Sequence, residues 1–322
     1  MNNTLIPSPA HNIERLAPVL ESAAAYVQQA KAPATLRAYR VDWNAFTAWC
    51  EAAGLAALPA TPSTVALFVA AEADAGRKVA TIGRRLAAIA KAHQAAGFDS
   101  PASLKHAAVA EVWHGVRRVK GVAQTAKAPA VVDTLRAMVG QLPDSLLGVR
   151  DRALLLLGFA GAFRRSELVG LTVEDVAIQR DGLVVTLRRS KTDQEGQGRK
   201  VGIPYGSRPE TCPVRAVQAW LEAAHPAGPL FCSVNRHGQA GAALTAQSVA
   251  LVVKRYAAAA GLDAAQFAGH SLRAGLATAA AVAGVSERAI MVQTGHRSAA
   301  MVRRYIRDGN LFRENAAAGV GL

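Results

Sequence analysis

Apolar side chains recur at three- and four-residue steps through most of this chain, the period of an amphipathic helix. Residues 12–30 carry Ile13, Leu16, Leu20 and Val27 on one face and predict a first helix. Residues 35–53 predict a second, with Leu36, Tyr39, Trp43, Phe46 and Cys50 as its stripe and Gly54 as its stop. Thr61 offers a capping hydroxyl and Pro62 a first-turn proline, so a third helix starts there and ends near Gly76. A fourth runs from Val79 to Ala96 on Ile82, Leu86 and Ile89. A fifth carries Val109, Val112, Trp113, Val116 and Val119. No strand-like alternation interrupts these patterns, and they predict a small all-helical domain.

The texture changes after GVAQTAKAPA, residues 121–130, a small, polar, proline-containing stretch that reads as a linker. ALLLLGFAGAF, residues 153–163, is a continuous apolar run, shorter than the roughly 20 residues of a membrane span, and predicts a buried helix. LVVTLR (183–188), RKVGIP (199–204) and PLFCSV (229–234) read as strands. Helical patterns return around 213–224, 245–260, 271–283, 286–294 and 298–306. The expected fold is mainly α with a small antiparallel β-sheet, in two domains. Their boundaries are an N-terminal extension at 1–30, a helical domain at 31–122, a linker at 123–130, a second domain at 131–310 and a tail at 311–322.

A length of 322 residues suits two cores, since single ones stop growing at roughly 250–300 residues. The formal net charge of +14 concerns partners rather than fold, and a polyanion is the natural one. Residues 31–125 hold 12 Lys/Arg against 6 Asp/Glu. Arg37, Arg40, Arg84, Arg85, Lys91, Arg117 and Arg118 lie off the apolar stripes there, as a solvated face or, taken together, as a surface for DNA phosphates. The cysteines Cys50, Cys212 and Cys232 form no CxxC pair, which argues against a disulfide framework or a zinc site. MNNTLIPSPAHNIERL lacks the basic-then-apolar pattern of a signal peptide, and the longest uncharged stretch contains Pro59 and Pro62. A cytoplasmic protein with no membrane partner is expected.

Four stretches could carry chemistry. GAFRRSEL (161–168) ends the apolar run with Arg164, and LRRSKTDQ (187–194) puts Lys191 between two strand candidates. GHSLRAG (269–275) sets His270 and Arg273 on one face of a helix start, and TGHRSAAMVRRYIR (294–307) adds His296 and Tyr305. Each has a bland reading: an Arg164–Glu167 ion pair, a solvated loop lysine, a capped helix, a core tyrosine. GHSLR is not a hydrolase nucleophile elbow, because Arg273 stands where the last glycine belongs. No P-loop, acidic metal cluster, zinc spacing or dinucleotide fingerprint is present.

The order R-x-S-E-L, hairpin Lys, H-x-L-R, G-H, Y resembles the tyrosine recombinases of the phage-integrase family, which include Cre and the Xer type. The resemblance covers residues 31–310, including T-L-R-A-Y-R and the aromatics that follow it. It implies an all-helical SAM-like core-binding domain and a catalytic domain that together clamp DNA. It implies Arg164, Lys191, His270, Arg273 and His296 as the active set and Tyr305 as nucleophile, with Lys200 a rival for the hairpin lysine. Double-stranded DNA at a specific site is the implied partner, with a dimer on one site and a tetramer on paired sites. No cofactor or metal is implied. Type IB topoisomerases use a similar set, and a non-catalytic DNA-binding protein would keep the basic helices without needing Tyr305. Ala274, Gly275 and Val302 depart from the family pattern outside the active set.

The chemistry explains these residue types. Phosphodiester cleavage builds negative charge on non-bridging oxygens, and two arginines can fork onto them. A free tyrosine of pKa ~10 is only about 0.1% phenolate at neutral pH, so it needs a base and neighbouring cations. On this reading His270 is the base, His296 binds phosphate and helps place Tyr305, and Lys191 protonates the departing 5′ oxygen. Glu167 is read as structural, Arg303 and Arg304 as phosphate neighbours, and Leu311 and Phe312 of the tail as a contact with a second protomer.

Overall fold

The computed structural model describes residues 16–23, 25–26, 32–123, 126–188, 196–309 and 320. The structure divides into two compact units, Met1–Gln124 and Thr125–Leu322. Of the helix expected at 12–30, the described residues 16–23 and 25–26 are helical and exposed. The tail residues Leu311 and Phe312 lie outside the described residues. No described helix is long and apolar enough to cross a membrane.

In the first unit, α1 (Pro33–Ala52) opens on a proline in its first turn and buries Phe46 and Cys50. In α2 (Pro62–Asp74) the Thr61 hydroxyl accepts from the Thr64 backbone N–H at 3.1 Å, the cap that the sequence promised. Next come α3 (Val79–Ala95), which turns Ile82, Leu86 and Ile89 inward, and α4 (Ala107–Lys120). Their core centres on Phe46 and Phe68, whose rings meet edge-on at 5.1 Å. His93 is fully buried in α3. Its Nδ1 bonds the Ile89 carbonyl and its Nε2 accepts the Ala60 N–H at 2.9 Å, so both ring nitrogens are satisfied.

The second unit is built around α6 (Leu146–Ala160), buried on nearly every side, as its continuous apolar run requires. It follows α5 (Val132–Val139), a helix not read from the sequence, and packs against α8 (Pro213–Ala224) and α10 (Ser271–Val282). After α7 (Arg165–Gly170) an antiparallel sheet runs in the order β1 (Val176–Gln179), β2 (Gly182–Leu187), β3 (Arg199–Pro204). The β2–β3 register pairs Leu183 with Ile203, Val185 with Val201 and Leu187 with Arg199. Alternation therefore points Leu183, Val185, Leu187, Val201 and Ile203 into the core. A smaller pair, β4 (Cys232–Val234) and β5 (Ala240–Ala243), precedes α9 (Ala246–Ala259). The strand expected at 229–234 is thus only its last half, because Leu230 and Phe231 enter the core from a loop. The chain then runs through α10 into α11 (Glu287–Thr294) and α12 (Ala299–Gly309).

Residues 126–130, expected as linker, belong physically to the second unit. The Ala128 N–H donates to the Gln266 carbonyl at 2.8 Å, and the Ala130 N–H to the Ser271 carbonyl at 2.9 Å. Gly275 makes that docking possible: a Cβ there would stand 2.1 Å from the Ala130 carbonyl oxygen. One departure from the family pattern thus has a steric cause.

A polar cluster sits inside this core. Asp151, with no exposure, accepts Arg150 Nε at 2.9 Å and Nη2 at 2.5 Å on one oxygen, and the Tyr256 hydroxyl at 2.8 Å on the other. Arg150 Nη1 also donates to the Cys232 carbonyl at 3.2 Å. Burial first, then the Asp151 charge, pushes the Tyr256 phenol up to about 12. Asp151→Ala strands a buried guanidinium, so a loss of about 3–5 kcal/mol is expected in urea denaturation. A loss below about 1 kcal/mol would show that Arg150 finds another acceptor.

Candidate active site

Arg164 sits at the end of the turn after α6, at the N-cap of α7. Glu167, buried in the first turn of α7, accepts the Arg164 backbone N–H at 2.8 Å and its Nη1 at 2.5 Å. One carboxylate therefore both caps the helix and fixes the arginine. The same turn holds Ala162 at φ 49°, the left-handed region that costs an alanine roughly 1 kcal/mol. That conformation is used: the Ala162 carbonyl accepts Arg273 Nη1 at 2.7 Å.

Arg273 and His270 come from the start of α10. Arg273 is 1% exposed, and its Nη2 is buried without a hydrogen-bond partner among the described residues. Burial, then Arg164, lowers its pKa to about 10, well above neutral, so it keeps its charge. His270 keeps one edge in solvent. Desolvation of its inner side, then Arg273, Arg164 and Arg165, holds it below the ordinary histidine range. Its Nε2 lies 3.1 Å from the Tyr305 hydroxyl.

His296 follows Gly295, which ends α11 in a left-handed cap at φ 65°. The Thr294 hydroxyl donates to the Ile290 carbonyl at 2.7 Å, and its oxygen meets His296 Nδ1 at 2.7 Å. That chain leaves the proton on Nδ1 and turns the bare Nε2 outward. Burial, then Arg273 and Arg164, lowers His296 to about 4. Its ring stands 5.9 Å from the Tyr305 ring.

Tyr305 is half-buried on α12, which is anchored by fully buried Val302 against Ala277, Ala281 and Ile290. Val302, another of the three departures, is therefore the apolar pin of this helix. Arg303, expected as a phosphate neighbour, is exposed and pairs with Glu287 at 3.0 Å.

Five expected residues thus converge: Arg164, His270, Arg273, His296 and Tyr305. Lys191 lies outside the described residues. Its rival Lys200 pairs with Thr186 on the exposed face of β3, opposite in parity to buried Val201, which removes it from the pocket side of the sheet. Sequence reasoning missed Arg199, whose guanidinium is felt by both Arg273 and His296. The available signal was its place in RKVGIP, on the parity of Val201 and Ile203.

The basic residues of the first unit separate into two groups. Arg37, Arg40, Lys91, Arg117 and Arg118 are exposed. Arg84 is held by Asp42 at 2.6 and 3.1 Å. Arg85, 12% exposed, bridges buried Asp42 and half-buried Glu72, so these carboxylates take it from the surface face expected of it.

Known proteins bear on this arrangement. Residues 131–310 match the phage integrase family, and residues 24–97 match the N-terminal SAM-like domain of phage integrases. An integrase/recombinase xerD homolog of Selenomonas ruminantium is 43% identical over 296 residues, covering 90% of this chain and 86% of the relative. A tyrosine recombinase XerD of Yersinia pestis is 26% identical over 88% of this chain and 89% of its own length. In fold, the chain is similar to a lambda integrase dimer bound to a COC′ core site, with TM-score 0.57 and 17% identity, covering 96% of this chain and 79% of that one. It is likewise similar to the XerH site-specific recombinase bound to a palindromic difH substrate, with TM-score 0.56, 17% identity and coverage of 80% and 72%. With a basic pocket poised around one tyrosine and a family match over most of the second unit, the chain belongs to the phage integrase family of tyrosine recombinases.

Proposed function

We propose that this chain is a site-specific DNA recombinase that cleaves and rejoins strands through Tyr305. The observation that carries the reading is the Tyr305 hydroxyl, 3.1 Å from His270 Nε2 in a pocket flanked by buried arginine. Neutral His270 accepts the phenol proton as the tyrosine oxygen attacks the scissile phosphorus. The bond to the 5′ oxygen breaks, leaving a 3′-phosphotyrosyl link and a 5′-hydroxyl that takes its proton from Lys191. Attack by a 5′-hydroxyl runs the same steps backwards, so rejoining needs no ATP.

Arg164 and Arg273 stabilise the charge that develops on the non-bridging oxygens. Arg273 already spends Nη1 on the Ala162 carbonyl, which leaves its buried Nη2 as donor. His296, neutral in the free protein with its proton on Nδ1, presents Nε2 as an acceptor for the Tyr305 hydroxyl, and it binds a phosphate oxygen only once Nε2 is protonated. Exposed Arg37, Arg40, Lys91, Arg117 and Arg118 supply sequence-independent attraction to backbone phosphates. Double-stranded DNA in the cytoplasm is the substrate, bound by a dimer on each site and a tetramer on paired sites. The 43% identical relative, described as an integrase/recombinase, supports recombination over relaxation of supercoils as the activity.

Tyr305→Phe keeps the ring and loses the nucleophile. It is expected to shift its DNA site in a gel as wild type does and to form no covalent adduct on a nicked suicide duplex; an adduct retained by this variant refutes the assignment. Arg164→Ala and Arg273→Ala are each expected to slow adduct formation by roughly 10²–10³. Lysine at either place should restore little, because one ammonium cannot both hold the protein oxygen, Glu167 for Arg164 or the Ala162 carbonyl for Arg273, and reach the phosphate; near-wild-type cleavage by Arg273→Lys counts against that double role.

The base must be neutral, and His270 is held below the usual histidine value. The second-order rate constant for adduct formation reports the free protein, so it should stay flat as pH falls through ~6.5 and drop only at more acid values. An acid limb centred at or above pH 7 would point to another base.

A further inference from the structure

Arg199 occupies the first position of β3, opposite Leu187 and in register with inward-facing Val201 and Ile203. A guanidinium on that parity must find acceptors inside the protein. Nη1 finds two, the carbonyls of Val292 and Gln293, each at 3.2 Å. These belong to the last turn of α11, where a cation meets the negative end of the helix. Nη2 is closed off from solvent and has no hydrogen-bond partner among the described residues.

The surroundings are those of the catalytic pocket. A Cβ on Gly295 would come within 2.9 Å of the Arg199 guanidinium and push it from this position, directly before His296. Burial lowers the Arg199 pKa first, Glu167 opposes that, and Arg164 lowers it further. Its charge in turn reaches Arg273 and His296. Gln293 fixes the same corner, donating to the Ala160 carbonyl at 2.8 Å and to the Gly202 carbonyl at 3.3 Å. Arg199 and Arg273 therefore share one feature: one nitrogen tied to backbone, the other a buried donor without an acceptor among the described residues. An anionic oxygen is the acceptor that such paired donors bind best.

We propose that Arg199 is a third phosphate-binding arginine, whose Nη1 seats α11 and hence His296 while its Nη2 donates to a non-bridging oxygen of the scissile phosphate. The proposal rests on the recombinase reading above. It separates Arg199 from a purely structural cap, which would hold α11 and touch no substrate.

The full-length protein is tested on nicked duplexes carrying a core site recovered by covalent capture from a randomised library. Each duplex is made in three forms, with an ordinary scissile phosphodiester and with each of the two methylphosphonate diastereomers, in which a methyl replaces one or the other charged oxygen. Arg199→Ala is expected to bind all three within about threefold of wild type. It should form the adduct on the phosphodiester on the order of 10²-fold more slowly. With one methylphosphonate diastereomer the ratio of wild type to Arg199→Ala should shrink below about tenfold, because the oxygen served by Arg199 is gone. Arg199→Lys should recover little, since one ammonium cannot both cap α11 and reach the phosphate. If Arg199→Ala does not fold, as judged by melting temperature, the same two-substrate ratio is read with Arg199→Lys. Wild-type cleavage rates in the variant, or an equal penalty on all three phosphate forms, overturn the proposal while leaving the Tyr305 chemistry intact. Failure of wild-type protein to capture any duplex overturns the recombinase reading, and this proposal with it.

Discussion

Like charges have to be held together in the catalytic pocket, and most of the local structure follows from that constraint. Arg164, Arg199 and Arg273 gather with His270 and His296 around Glu167, the one carboxylate among the described residues that offsets their charge there. Each guanidinium is restrained by protein oxygen: Glu167 for Arg164, the Ala162 carbonyl for Arg273, the α11 carbonyls for Arg199. The left-handed turn at Ala162 is one local cost of this arrangement. The histidines meet the same field by staying neutral, which is the state a general base requires. Repulsion among the cations and readiness to bind a polyanion are therefore two sides of one electrostatic fact.

The scaffold delivers these groups from separate segments and keeps the nucleophile comparatively loose. α6 and α10 are buried; Arg164 follows α6 at the N-cap of α7, Arg273 stands in the first turn of α10, and Arg199 opens β3. α12 rests on a small apolar cluster pinned by Val302, with Tyr305 only half-buried. Less buried contact means lower local stability, which suits a residue that becomes covalently attached to DNA and is later released. The hydrogen bond to His270 then matters for aim as much as for proton transfer.

In the first unit the same residue type serves two purposes that only burial separates. Arg85 neutralises Asp42 and Glu72 and lies over the Phe68 ring at 5.9 Å, whereas Arg117 and Arg118 stay in solvent. Asp42, buried in the middle of α1, is what draws Arg84 and Arg85 in. An arginine off the apolar stripe is thus no guide to DNA contact unless the nearby carboxylates are known.

By itself the sequence determined most of the long helices, because the three- and four-residue apolar period and the Thr61-Pro62 cap are local signals. It also determined that Arg164, Arg273, His270, His296 and Tyr305 were the residues to watch, through short motifs in a fixed order. It could not give α5, β1 or β5, which are short and owe their form to the neighbours they pack or pair with. Only tertiary structure decided that Gly275 makes room for the Ala130 carbonyl, that Lys200 faces outward, and that Arg303 turns to Glu287. Arg199 is the clearest case. Its letter in the sequence is one arginine among many, and its significance arises from the β2–β3 register that brings it to the end of α11. Register and packing are long-range properties, set by segments far apart in the chain, so no local pattern can carry them.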